Sequence, residues 1–258
     1  MVSTTPVHAE SARYHASLAF VPGLWTGPGL WRGAASYLAH RGWEGELVDL
    51  RRVPGGLGAR AAALAAHGAA GSAPRVFLGH GAGALVALAA ARLCRPAAAV
   101  LVSPVPPGLP PGLGWRSVPA LMFGRPLAPP LRWLDRAGLS ERGPGAMTDL
   151  GPEPGAAVRD VARGRLWPAA PAGVPTLLVT GSADQLLTPA VAARLAATIG
   201  AEREVLAGAG HWLVVGPGWE QLVDVVHRWL VQRLGETLLE LYAEAMAERA
   251  ATEEPGDD

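Results

Sequence analysis

The chain of 258 residues contains no lysine and no asparagine, and its single isoleucine is Ile199. Alanine, glycine, proline and arginine take their place, as a GC-rich coding sequence produces, which bears on origin rather than function. Cysteine is nearly absent too: Cys94 alone excludes an intrachain disulfide and fits a reducing cytoplasm. Net charge is also missing, formally +0 with 22 basic and 22 acidic side chains interspersed. That balance leaves no electrostatic footprint for nucleic acid or an anionic membrane. No apolar run approaches the roughly 18 residues of a membrane span, and no basic segment followed by an apolar stretch opens the chain. A cytoplasmic protein with a small-molecule partner is therefore expected, with neither nucleic acid nor membrane as a partner. His8, His15, His40, His67 and His227 show no metal-ligand spacing, so no metal is predicted.

Apolar side chains are abundant, at 50% of residues, enough to bury a core in one α/β domain or a domain with a small insertion. Residues 1–15 are mixed and polar; at most one weak strand around Val7 and partial disorder are expected. Apolar strands are predicted at Ala16–Val21, Glu46–Asp49, Val76–Leu78, Ala97–Ser103, Thr176–Thr180 and Arg203–Leu206. Helical spacing falls between them at Leu30–His40, Ala59–Ala70, the Ala/Leu-rich stretch after Gly83, and Pro189–Ile199. Ala97–Ser103 is an apolar run rather than an alternation, as a strand covered on both faces requires. The alternating elements predict an open, mostly parallel α/β sheet.

Between Pro104 and Pro171 the alternation breaks. This segment is dense in proline and glycine, exceeds an ordinary loop, and holds helical candidates at Pro119–Phe123, Leu131–Ala137 and Ala156–Gly164, so it reads as an inserted helical lid (104–171). The core is then 16–103 with 172–234. From Trp219 a helical pattern of Leu222, Val225, Val226, Trp229, Leu230, Leu234, Leu238, Leu241 and Ala245 runs into an extension over 235–258. It either packs on its own sheet and lid or exposes Leu238, Leu241 and Tyr242 as a homodimerising arm. The acidic tail Thr252–Asp258 is expected to be disordered.

One stretch organises the rest: Val76-Phe77-Leu78-Gly79-His80-Gly81-Ala82-Gly83-Ala84-Leu85-Val86-Ala87-Leu88, read as strand, sharp turn and helix. A turn of this kind, written G-x-S-x-G, lifts a nucleophilic serine to the top of a sheet in a strained conformation. Here its centre is Gly81, a mount without the nucleophile. The same residues satisfy the dinucleotide pattern G-x-G-x-x-A, but the ribose-binding acid due about 20 residues later is replaced by Ser103-Pro104-Val105. Two more motifs close strands: Gly181-Ser182-Ala183-Asp184 and Gly208-Ala209-Gly210-His211-Trp212. In that order, elbow, acid turn and histidine loop, the chain resembles the α/β-hydrolase family from about Ala16 to Leu234.

The resemblance implies an α/β-hydrolase fold: an open, mostly parallel sheet with helices on both faces, an inserted helical lid and no cofactor. It also implies a histidine, His211, oriented by Asp184, and an oxyanion hole from two backbone amides. These map onto Ala82, after the nucleophile position, and Leu24, in the Pro22-Gly23-Leu24-Trp25 turn after an early strand. The family often has His-Gly where this chain has Pro22-Gly23, but a backbone amide donates whatever its side chain.

Gly81 is the decisive departure. Removing the serine of such a triad costs about 10⁶ in turnover and leaves about 10³–10⁴ over water, which excludes acyl-enzyme chemistry. Neither Ser103, ending the neighbouring strand, nor Cys94, within or just after the elbow helix, obviously replaces it. Glycine relieves a positive-φ strain that a non-catalytic descendant would have no reason to keep. Alternatively it makes room for a water or substrate oxygen between the two amides and His211, which then acts as a general acid or base worth about 10²–10⁴.

Taken singly, Asp184 reads as a cap before Thr188-Pro189 and His211 as a structural histidine; together they favour catalysis or ligand binding. His80 reads as a packed elbow residue. Trp25 and Trp212 adjoin the oxyanion and histidine positions, and Trp115, Trp133 and Trp167 fall in the lid. Beyond ordinary packing, indole walls suit an apolar ligand. Three functions follow: a cofactor-free enzyme of elimination, cyclisation or rearrangement on an apolar small molecule in natural-product biosynthesis; an esterase or thioesterase whose serine became glycine; or a non-catalytic ligand-binding protein.

Overall fold

The structure is a computed structural model that describes residues 2–106, 108, 117–131, 134, 149–164 and 170–234. Its strands are β1 (Ser3–Val7), β2 (Ser17–Val21), β3 (Gly45–Asp49), β4 (Arg75–His80), β5 (Ala98–Val102), β6 (Pro126–Leu127), β7 (Glu153–Pro154), β8 (Thr176–Gly181) and β9 (Glu202–Leu206). Seven form one sheet in the order β1-β3-β2-β4-β5-β8-β9. Only β1 runs antiparallel within it. The central runs Val76-Phe77-Leu78 and Ala98-Ala99-Val100-Leu101-Val102 are buried along their whole length, because helices cover both sheet faces.

The helices are α1 (Arg32–His40), α2 (Leu57–Ala69), α3 (Ala82–Cys94), α4 (Val118–Phe123), α5 (Gly155–Ala162), α6 (Pro189–Ile199) and α7 (Trp219–Leu234). The step from β2 to β3 moves one way along the sheet, and the later steps move the other way. Right-handed connections therefore place α1 on one face and α2, α3 and α6 on the other. The packing follows: α1 contacts α7, α2 contacts α3, and Leu88 of α3 joins Ala192, Ala196 and Ile199 of α6 in one apolar cluster. The neighbouring strands β2 and β4 thus send their outgoing loops to opposite faces, which opens a crevice at their carboxyl ends.

Two elements differ from expectation. β1 is a full strand, paired with β3 from Ser3↔Asp49 to Val7↔Gly45; its exposed residues carry no apolar run, so only the pairing reveals it. The helix expected over Leu30–His40 opens as a 3-10 turn at Pro28–Trp31 and becomes α-helical at Arg32. The insertion between β5 and β8 contains α4, α5 and an antiparallel β6–β7 pair. Most of the Leu131–Ala137 candidate lies outside the described residues, as do Trp115, Trp133 and Trp167. So does the 235–258 extension with Leu238, Leu241, Tyr242 and Ala245. Among the described residues, no helix is long and apolar enough to cross a membrane.

Candidate active site

The crevice at the switch point is bordered by the Pro22-Gly23-Leu24-Trp25 turn after β2 and by the elbow after β4. Close backbone approach explains the flanking glycines of the elbow. A Cβ on Gly79 would fall 2.4 Å from Gly83 O, and one on Gly83 would fall 2.4 Å from both Val21 O and Pro22 O. Protein backbone fills the room a dinucleotide would need at these glycines. Gly81 differs. Its φ of 59° and ψ of −120° strain an L-residue, yet among the described residues a Cβ there would meet only Val105 Cγ2 at 3.5 Å and His211 Nε2 at 3.9 Å.

The acid turn and histidine loop are held together by their backbones. A Cβ on Gly181 would lie 2.0 Å from Ala209 O, so only glycine permits this approach. Ala183 N–H donates to Ala209 O at 2.9 Å, and Gly208 N–H donates to Ser182 Oγ at 2.8 Å. Asp184 and His211 consequently meet, with Nδ1 3.0 Å from Asp184 Oδ2 and both side chains buried. Asp184 Oδ1 accepts the N–H groups of Leu186 and Leu187 at 2.8 and 2.9 Å. Burial alone would raise the Asp184 pKa, but the bond to His211, its charge and these two amides hold it below the usual carboxylate value. A carboxylate there accepts only, so Nδ1 donates to it and Nε2 is left facing Gly81.

The remaining expected residues divide into those at the crevice and those behind it. Gly23 packs against the elbow: a Cβ on it would lie 3.1 Å from His80 O and 3.7 Å from Ala82 N, which brings the Leu24 turn against the first amide of α3. That helix terminus adds a favourable field for negative charge. His80 is buried, its Nε2–H donating to His211 O at 3.1 Å, and its ring lies 5.2 Å from both the His211 and Trp212 rings. Burial and the neighbouring His211 push its pKa down to about 3, so it is a neutral buttress rather than a base. Trp25 and Trp212 are buried, and the Trp25 indole N–H donates to Leu127 O at 3.2 Å. Ser103 is buried at a φ of 41°, and its Oγ has no hydrogen-bond partner among the described residues. Cys94 ends α3, which spans about 18 Å from Ala82 by helical rise.

Sequence reasoning missed three residues around the Leu24 turn. Thr26 Oγ1 donates to Gly23 O at 3.1 Å. Glu153, from the β5–β8 insertion, accepts the Trp25 N–H at 3.0 Å and pairs with Arg60 of α2. One signal was available: Arg60 stands on the apolar face of α2, with Leu57, Ala61 and Leu64, where an arginine needs a buried partner.

A sequence profile of the Alpha/beta hydrolase family matches residues 18–225. No curated protein matches the sequence. Among solved structures, a monoacylglycerol lipase from Paleococcus ferrophilus is similar, with TM-score 0.72 and 18% identity over 90% of this chain and 99% of that one. A thermophilic esterase from Thermogutta terrifontis gives 0.61 and 20% identity over 90% and 94% of the two chains. MenH from S. aureus gives 0.63 and 15% identity over 89% and 98%. At such identities the likeness shows a shared fold.

Proposed function

The chain belongs to the Alpha/beta hydrolase family, and from that premise we propose that it is a serine-less member performing general acid–base chemistry on an apolar small molecule, without a covalent intermediate. The observation that carries this reading is the aim of His211. Its Nδ1 is committed to Asp184, while its Nε2 lies 3.9 Å from where a side chain on Gly81 would begin.

In the proposed reaction a water or substrate group lies over Gly81, and Nε2 removes its proton. From a carbon beside a carbonyl the released pair forms the enolate C=C as the carbonyl π pair moves to oxygen; from a water or hydroxyl it forms a C–O bond to the carbonyl carbon. In both cases the negative oxygen is held by the Leu24 and Ala82 amides. When that oxygen re-forms its carbonyl, either the bond to the leaving group breaks and protonated Nε2 gives it the proton, or Nε2 returns the proton to carbon. Elimination, cyclisation and rearrangement all fit this sequence, and a natural-product pathway in the cytoplasm is the setting we infer. The base is worth about 10²–10⁴ and each oxyanion donor about 10²–10³. Val105 beside Gly81 favours an apolar reacting group.

A second reading, a hydrolase whose serine became glycine, draws on the space and backbone angles kept at position 81, and on the esterase and lipase among the similar structures. The test of the first reading is a mass-spectrometric screen of apolar esters, thioesters and polyketide-like carbonyl compounds, repeated with His211→Ala. A loss of about 10²-fold or more in product formation is expected. Undiminished product formation by His211→Ala would show the acid–base mechanism to be wrong.

A further inference from the structure

The residue after Leu24 is held in a rare backbone state by a distant part of the chain. Trp25 has a φ of 62°, a left-handed conformation that bulky residues seldom adopt unless their surroundings impose it. Here the surroundings belong to the β5–β8 insertion. The Trp25 N–H donates to Glu153 Oε1 at 3.0 Å, its carbonyl accepts from Gly151 N–H at 3.0 Å, and its indole N–H donates to Leu127 O at 3.2 Å. The next residue, Thr26, bridges Leu150 of the same insertion.

These bonds act on the direction of one amide. The Gly23 carbonyl and the Leu24 N–H belong to a single planar trans peptide and point in opposite directions. The Thr26 hydroxyl, donating to Gly23 O at 3.1 Å, therefore turns the Leu24 N–H away from itself. The following peptide is pinned by Glu153 through the Trp25 N–H. Glu153 is 0% exposed, and its second oxygen takes Arg60 Nη2 at 2.5 Å, so the carboxylate is used on both sides and has no room to swing. Arg60 stands on α2, which ties the insertion and the Leu24 turn to the core in one chain of bonds.

We propose that Thr26 and Glu153 are positioning residues of the oxyanion pair. They aim the Leu24 amide over Gly81, so the insertion as well as the core sets how strongly the site holds a developing negative oxygen. The inference rests on the reading of Leu24 and Ala82 as the oxyanion donors.

The test is amide NMR of the whole protein titrated with phenylacetate, a carboxylate probe with an apolar body. In the unsubstituted chain the Leu24 and Ala82 amide protons are expected to shift downfield together. Thr26→Val removes the hydroxyl and keeps the shape, and Glu153→Ala removes the acceptor for Trp25. In each, the Leu24 response is expected to fall by about half or more while Ala82 still responds, and affinity should weaken about tenfold, the worth of one hydrogen bond to a charged group. Thr26→Ser, which keeps a donor in place, should restore most of the response. A full Leu24 response in both Thr26→Val and Glu153→Ala overturns the inference alone, and so does an equal loss at Leu24 and Ala82, which marks general collapse. No response at either amide in the unsubstituted chain overturns the oxyanion reading and this inference with it. Should Glu153→Ala fail to fold, Thr26→Val decides, because it leaves the buried ion pair intact.

Discussion

His211 Nε2 lies 3.9 Å from the point where a Cβ on Gly81 would stand. In a fold of this kind the imidazole ordinarily addresses a hydroxyl at that point; here, among the described residues, it addresses room of about that size. The neighbouring glycines leave no such room, so the space at position 81 is particular to it rather than a property of the whole turn. A histidine directed at this position, hydrogen-bonded to a buried Asp184 whose pKa is lowered, is the relationship on which the functional reading depends.

That relationship predicts the behaviour of Gly81→Ser. The added Cβ makes ordinary contacts among the described residues, while the strained backbone costs about 1–3 kcal/mol, so the variant should fold with a drop in Tm. Its hydroxyl falls within reach of Nε2. A fluorophosphonate probe is therefore expected to label the variant, detected as an intact-mass adduct, and to leave the unsubstituted chain unmodified. Robust turnover of p-nitrophenyl butyrate by the variant would shift the reading towards the hydrolase that lost its serine. No labelling of the variant would mean that His211 does not reach position 81, and the acid–base reading would fall as well.

The flanking glycines predict a contrast. Gly83→Ala places a methyl group 2.4 Å from two backbone carbonyl oxygens, Val21 at the end of β2 and Pro22 in the turn after it, so the strand, the turn or α3 must move. A loss of about 3 kcal/mol or more is expected, at the upper end of the range for overpacking. Gly58→Ala, near the start of α2 with nothing among the described residues within 4 Å of the new Cβ, should instead stabilise by about 0.5–1 kcal/mol. Urea unfolding of both variants checks the pair; similar stabilities would show that the elbow is not closely packed.

Local signals located the strand ends that carry the motifs. The strand–turn–helix at Gly81, the acid turn at Asp184 and the histidine loop at His211 each sit at a strand end, where apolar runs meet glycine, and so could be placed from sequence. β1 could not, because an exposed edge strand has no apolar pattern and is defined only by pairing with β3. The acids of the insertion were equally hidden. Asp149 reaches Gly29 and Arg51, Glu153 reaches Trp25 and Arg60, and Asp160 accepts the first amide of α2 at Leu57. Each contact joins residues about a hundred or more positions apart with no periodic trace, because a carboxylate satisfying a distant amide resembles any surface acid in sequence.

The Arg60–Glu153 pair gives a prediction about stability that is separate from catalysis. Glu153→Ala strands a buried guanidinium and removes the Trp25 acceptor, which should cost about 3–5 kcal/mol. Arg60→Met combined with Glu153→Leu removes both charges, leaving chiefly the loss of the Trp25 N–H bond to Glu153 at about 1–3 kcal/mol. The double variant should thus be more stable than the single one in urea unfolding. A double variant as unstable as Glu153→Ala would show that the cost lies in packing rather than in the stranded charge.

The last prediction concerns His80 and acid. Its pKa is pushed down to about 3 in the folded chain against 6.5 for an unperturbed histidine, by burial and by the neighbouring His211. Above pH 6.5 both folded and unfolded forms are neutral, and the contribution of the ring to stability is fully present. As pH falls from about 6.5 towards 3 the unfolded chain takes up a proton that the folded chain refuses, so stability drops by up to about 1.4 kcal/mol per pH unit. His80→Gln cannot take that proton. It should be less stable near pH 7 yet lose stability less steeply between pH 6 and 4, with a slope smaller by about one proton. Asp184 does not intrude, since its carboxyl is held below 3.8 and its contribution is lost only as pH falls below that window. His227, also lowered by burial and by Arg41, titrates alike in parent and variant and cancels in their difference. Parallel stability profiles from urea unfolding across this range would mean that the His80 ring accepts its proton in the folded chain, and that it does not stand as a neutral support behind His211.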